Sequence, residues 1–177
     1  QEMRQREEAE AEAKAMATVK EKRDEILKDP AAPIFGNPDG DVTVVEFFDY
    51  RCPYCKSVAG KAMETAKKDG KVRVMFKELP ILGPESVFAA RAALAAQRQG
   101  KYIEYHLALM RSRERLTDEI TIRIAQGVGI DLEKLKKDMG SPEIKRQLEA
   151  NLELAQELGI RGTPAFIVGD RLAPGAI

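Results

Sequence analysis

The stretch FFDYRCPYCKSVAG, Phe47 to Gly60, holds both cysteines of the chain, Cys52 and Cys55, directly after an apolar run. Three chemistries fit two cysteines at this spacing: a structural staple, half of a metal site, or a pair that trades electrons. A framework disulfide normally closes a longer loop, and a chain of 177 residues has little need of one. Zinc requires four ligands, and the single histidine, His106, lies more than 50 residues away in a helical pattern, where it reads as a surface or core residue. Two thiolates alone hold Cu(I) with low selectivity. The redox pair is the reading the spacing favours.

Outward from the pair, VTVVEFF (Val42 to Phe48) is β-branched and aromatic, a buried strand. Pro53 to Lys68 reads as a helix, with Pro53 in the first turn, where its missing N–H costs nothing. In KVRVMFKEL, Val72, Val74 and Phe76 alternate onto one face of a second strand. A helix-length segment between two strands predicts a parallel β–α–β unit.

Residues 84–158 carry helical patterns over 84–99, 101–113, 117–126, 131–139 and 141–158, started by Thr117 and Ser141-Pro142 and separated by Gly100, Gly129, Gly140 and Gly159. PAFIVG (Pro164 to Gly169) returns to strand character, and Gly169-Asp170 turns into a short strand at 171–174. The fold class is therefore α/β, with an all-helical insertion.

Residues 1–29 are Glu, Ala, Lys and Arg without Gly or Pro, a helix-forming composition. Ala9, Ala13, Met16, Lys20, Arg23 and Leu27 follow 4-3 spacing, but two of these six are charged. Either a solvated, marginal helix or an oligomerising one fits that stripe. Pro30, Pro33, Gly36, Pro38 and Gly40 mark 30–40 as a linker, and 41–177 is the globular domain.

Lysine plus arginine equals aspartate plus glutamate, 29 each, which argues against nucleic acid or an anionic membrane surface as the main partner. No run approaches the roughly 18 apolar residues of a membrane span. The start at Gln1, without Met or a signal peptide, reads as a mature or trimmed form.

A thiol attacks disulfides as thiolate, and Cys52 stands at a helix mouth, where free N–H groups and the helix dipole favour the anion. Cys55, one turn inside, is in reach to resolve a mixed disulfide. Pro53 and Tyr54 tune the site by fixing its backbone and polarity. Glu46 interrupts the apolar strand, six residues before Cys52. Burial would raise its pKa and suit it to take the proton of Cys55; Lys77 on the neighbouring strand is a candidate partner, though not the favoured reading of that lysine.

Glu46-Phe47-Phe48-Asp49-Tyr50, Cys52-Pro53-Tyr54-Cys55 and the distant Gly162-Thr163-Pro164 together resemble the DsbA family, thioredoxin-fold thiol–disulfide oxidoreductases of the bacterial periplasm. The likeness covers roughly residues 38–176, and the charged extension resembles that of the suppressor-of-copper-sensitivity (ScsC) type. It implies a cis Thr163–Pro164 peptide beside the cysteines, with Thr163 and Pro164 binding extended substrate, and a buried acid at Glu46. It implies no organic cofactor and no metal. The implied partners are cysteine-containing exported proteins and further copies of the chain, dimer or trimer; a membrane redox partner is compatible with it. Disulfide isomerase or reductase is the expected activity if the chain oligomerises. A dithiol oxidase, a copper-binding thiol module and a glutaredoxin-like enzyme are the alternatives, the last because Cys-Pro-Tyr-Cys is also a glutaredoxin spelling. Thioredoxin-like folds close with a C-terminal helix over one sheet face, and this sequence stops at Ile177 after its last strand. The expectation is that the protein continues or that a partner covers the face.

Overall fold

The computed structural model describes residues 1–174, so the last three residues of the expected domain lie outside the described residues. In chain order the elements are α1 (Glu2–Glu21), α2 (Arg23–Leu27), β1 (Ile34–Gly36), β2 (Val42–Phe48), α3 (Pro53–Val58), α4 (Lys61–Lys68) and β3 (Val72–Glu78). Then come α5 (Pro84–Gln97), α6 (Tyr102–Arg111), α7 (Asp118–Gly127), α8 (Leu132–Met139), α9 (Pro142–Glu157), β4 (Ala165–Val168) and β5 (Arg171–Pro174). The sheet order is β1-β3-β2-β4-β5. β2 and β3 run parallel, with Val44 opposite Val74, as the β–α–β reading predicts. β4 joins β2 antiparallel and turns into β5 through Gly169 and Asp170. This is the thioredoxin-like arrangement, with α5–α9 as the helical insertion.

The strand period of two divides the sheet into two faces. Val74, Phe76 and Phe48 pack with Cys55 and the insertion helices, including Ala92 and Leu109. Val45, Phe47, Met75 and Ile167 point the other way, where Leu154 and Leu158 of the α9 region meet Val19 and Ile26. That second face is therefore covered among the described residues by α9 and by the N-terminal helices, in place of the further chain or partner expected from the sequence.

The N-terminal reading also changes. Residues 1–14 are all exposed, as a solvated helix would be, but Val19 and Ile26 are 2% and 1% exposed. The apolar stripe follows Ala15, Val19 and Ile26, while Ala9, Ala13, Lys20 and Arg23 of the expected stripe face solvent. The helix breaks at Lys22, and ion pairs Lys22–Glu157 (3.0 Å), Arg23–Asp170 (3.6 Å) and Arg171–Glu12 (3.8 Å) tether it to the domain. The buried methyl groups hold it more firmly than these solvated pairs, which are individually weak.

The expected linker at 30–40 contains an edge strand. β1 pairs antiparallel with β3, Ile34 opposite Met75, and Asn37 donates its side-chain amide to Gly70 O. A Cβ at Gly36 (φ +90°) would lie 2.6 Å from Val72 O, so the close strand approach needs glycine there. Three residues that follow Pro33 and end in Gly36 give too short a pattern to read as a strand. The single helix expected over 53–68 is two, because Ala59 is extended and Gly60 has φ +86°.

Candidate functional site: the Cys52–Cys55 pair

β2 ends on the apolar pair Phe47-Phe48, and the chain turns through Asp49–Cys52, closed by a 3.1 Å bond from Cys52 N–H to Asp49 O. Cys52 is the N-cap of α3, with extended backbone, and its Sγ accepts from Cys55 N–H at 3.3 Å. Pro53 fills the first turn, as the sequence predicts, and Tyr54 stands out into solvent at 68% exposure. Both thiols are free.

Exposure alone separates the two cysteines little, 6% for Cys52 and 0% for Cys55, and both are buried. Their electrostatic settings differ more. Burial pushes the Cys55 thiol up to about 12, with the Cys52 sulfur beside it acting in the same direction. Cys52 instead takes an N–H from the first turn of the helix, the place where an anion is best accommodated.

Pairing of β4 with β2, Ala165 opposite Phe47, brings the start of β4 against the cysteines. The Thr163–Pro164 peptide is cis, and the Cys52 thiol donates to Thr163 O at 3.4 Å. Thr163 and Pro164 therefore sit beside Cys52, where the family resemblance puts them.

Glu46 is 4% exposed, and burial lifts its carboxyl to about 7. It does not pair with Lys77. In the β2–β3 register Glu46 lies opposite Phe76, and Lys77 opposite Phe47, so the two side chains leave opposite faces of the sheet. Lys77 instead closes a 2.8 Å ion pair with Asp29. Glu46 makes no hydrogen bond to either cysteine among the described residues; its charge acts on buried Glu78 and Tyr102. His106 is a core residue, 1% exposed, with its Nδ1 2.8 Å from the Tyr50 hydroxyl.

Two supporting residues escaped the sequence reading. The Asp49 carboxylate, 1% exposed, accepts Arg51 N–H and Ser86 Oγ–H on one oxygen and Ile81 and Leu82 N–H on the other, all between 2.8 and 3.0 Å. It binds the cysteine turn to the loop before α5. Lys56 donates to Leu109 O (2.9 Å) and Ser112 O (3.1 Å), fastening α3 to the end of α6; burial lowers its pKa. Asp49 sits in the quoted motif, but three of its four donors, Ile81, Leu82 and Ser86, come from a distant segment; Lys56 looks like any helical lysine.

A dithiol at a helix N-terminus on a thioredoxin-like sheet, facing a cis-proline loop, defines a thiol–disulfide exchange protein. Matches to known proteins narrow the class. The DSBA-like thioredoxin domain model matches residues 43–177, and the chain belongs to that family. A thioredoxin-like oxidoreductase from Silicibacter pomeroyi DSS-3 has 49% identity and a TM-score of 0.85, covering 88% of this chain and 90% of that one. The catalytic domain of Proteus mirabilis ScsC has 29% identity and a TM-score of 0.84, covering 92% and 90%. A probable disulfide bond formation protein D from Bacillus anthracis is 30% identical over 167 residues, 87% of this chain and 77% of that protein. The activity that family and site share is thiol–disulfide oxidoreduction.

Proposed function

We propose that the chain is a disulfide isomerase and reductase of the bacterial periplasm, acting on exported proteins whose cysteines are mispaired. Cys52, as thiolate, attacks a client disulfide: a Cys52–client S–S bond forms, the client bond breaks, and the released client sulfur leaves as thiolate. A client thiolate then attacks the client sulfur of the mixed disulfide, forming a new client bond and freeing Cys52 with no net redox change. If the client stalls, Cys55 gives its proton to Glu46 and attacks Cys52 Sγ, releasing reduced client and leaving the Cys52–Cys55 disulfide for a reductant to reset. Thr163 offers its backbone to the extended client segment beside Cys52.

The observation that carries the isomerase reading is the helix over residues 1–14, every residue of which is exposed, with Glu12 pairing to Arg171. A helix with no core of its own is marginal in water and gains from packing against copies of itself. Several reduced pairs held in one assembly keep hold of a client while its disulfides rearrange.

Reactivation of scrambled ribonuclease, run beside oxidation of reduced ribonuclease and light scattering of the intact protein, tests it. The expected result is an oligomer that reactivates the scrambled substrate faster than it oxidises the reduced one. A monomer with full isomerase activity, or an oligomer that only oxidises, contradicts it.

A further inference from the structure

Behind the cysteine turn lies a polar cluster that the exchange steps do not use. Glu78, at the end of β3, is 1% exposed, and its Oε2 stands 2.8 Å from the Tyr50 hydroxyl and 2.6 Å from that of Tyr102. The Tyr50 hydroxyl is also 2.8 Å from Nδ1 of His106. The imidazole is walled by Phe48 and Phe76, at centroid distances of 4.8 and 4.7 Å, and stacks on Tyr102. No lysine or arginine pairs with Glu78 among the described residues. The ionisable groups that act on it are Glu46 and Asp49 from the β2 side and Tyr50 and Tyr102 from the turn and α6, all acids; neutral His106 completes the ring, and α9 adds only the Asn151 amide, on the Glu78 carbonyl.

The Tyr50 hydroxyl has one proton and two partners, so the direction of the whole chain depends on where Glu78 keeps its own. A carboxylate would take the Tyr50 proton and require His106 to donate through Nδ1. A carboxylic acid reverses both bonds: Glu78 Oε2–H donates to Tyr50, and Tyr50 donates to Nδ1, leaving the imidazole proton on Nε2. Tyr102 donates to Glu78 in either case. An anion buried without a cation is costly, and two phenols do not supply a positive charge.

We propose that Glu78 is a carboxylic acid heading a neutral Glu78→Tyr50→His106 hydrogen-bond chain, and that this chain positions the Cys52 turn. Tyr50 is the tie. It precedes Cys52 by two residues, within the turn closed by Asp49 O, and its phenol joins that turn to β3 and α6 at once. A neutral chain does this without placing another anion behind the sulfur that must become a thiolate. Burial acts in the same sense on both ends, raising the Glu78 pKa well above the usual carboxyl value and lowering His106 to about 3. The inference rests on exchange at Cys52 and not on the isomerase reading.

Nitrogen-15 NMR of the histidine in the intact protein at pH 7 reads the chain directly. The expected spectrum has an unprotonated Nδ1 and a protonated Nε2. Tyr50→Phe, which keeps the ring, should change the Nδ1 shift and slow the first attack by Cys52 about tenfold, equivalent to ~1.4 kcal/mol. Glu78→Gln, whose amide can donate one N–H to Tyr50 in place of the acid and the other to Tyr102 in place of accepting from it, should keep the tautomer with Nδ1 unprotonated. A proton on Nδ1 overturns the acid assignment. A Tyr50→Phe protein attacking at the wild-type rate overturns the positioning role.

Discussion

Lys77 crosses from β3 to Asp29 of the N-terminal segment and closes a 2.8 Å ion pair in which the lysine side chain is only 2% exposed. With Val19 and Ile26 in the core beside it, this bond makes residues 15–29 part of the catalytic domain. Residues 1–14 stay outside that core, held to the domain by the solvated Glu12–Arg171 pair.

Removing one partner of a buried pair leaves the other charge stranded. Asp29→Ala should therefore cost on the order of 3 kcal/mol in urea unfolding, and Asp29→Ala with Lys77→Met should recover most of it. A single variant as stable as wild type would show the pair to be dispensable. By the same logic, deletion of 1–29 destabilises the domain, whereas deletion of 1–14 leaves stability and dithiol exchange intact and removes the proposed oligomer.

Glu46 gives a pH signature. Its folded carboxyl titrates near 7, against 4.5 for an unperturbed one, so the folded state binds the proton more tightly than the unfolded chain. The stability this contributes is full below about 4.5 and is lost as pH rises through about 7, a fall on the order of 3 kcal/mol. Glu46→Gln should flatten that slope and be more stable than wild type above pH 7. It should also slow resolution by Cys55 while sparing the first attack. Parallel stability profiles for variant and wild type would remove Glu46 from the account.

Asp49 makes a structural prediction. In Asp49→Asn one acceptor oxygen becomes an NH2 facing backbone N–H groups, at a cost of about 2–4 kcal/mol for the donors left unpaired. Amide hydrogen exchange at Ile81 and Leu82 should quicken sharply, because their N–H groups bond to that carboxylate. Unchanged protection at both would mean that something else holds the loop.

The central strand, the helix-capping Cys52 and the β–α–β unit were legible because each is a local pattern: a β-branched run, a proline after the cysteine, a strand period of two. Glu46 stood out as an acid inside such a run. The register rule excludes the candidate Glu46–Lys77 pair, since parallel neighbours Glu46 and Phe76 share a face and Lys77 must leave the other; its partner Asp29 lies 48 residues away, outside any local pattern. Val19 was hidden because so charged a helix shows little apolar stripe, and three-residue β1 because it is shorter than any periodicity. The Glu78, Tyr50, Tyr102 and His106 cluster joins three segments far apart in sequence, so no window along the chain contains it.

The account turns on Cys52 as the attacking sulfur, held at the N-cap of α3 while Cys55 is buried as a thiol. Trapping of mixed disulfides with a disulfide-bonded client, resolved by mass spectrometry, tests it in one measurement on Cys55→Ala and Cys52→Ala proteins. The predicted result is a stable adduct through Cys52 in Cys55→Ala and none in Cys52→Ala. An adduct forming through Cys55 at a comparable rate in Cys52→Ala would contradict it.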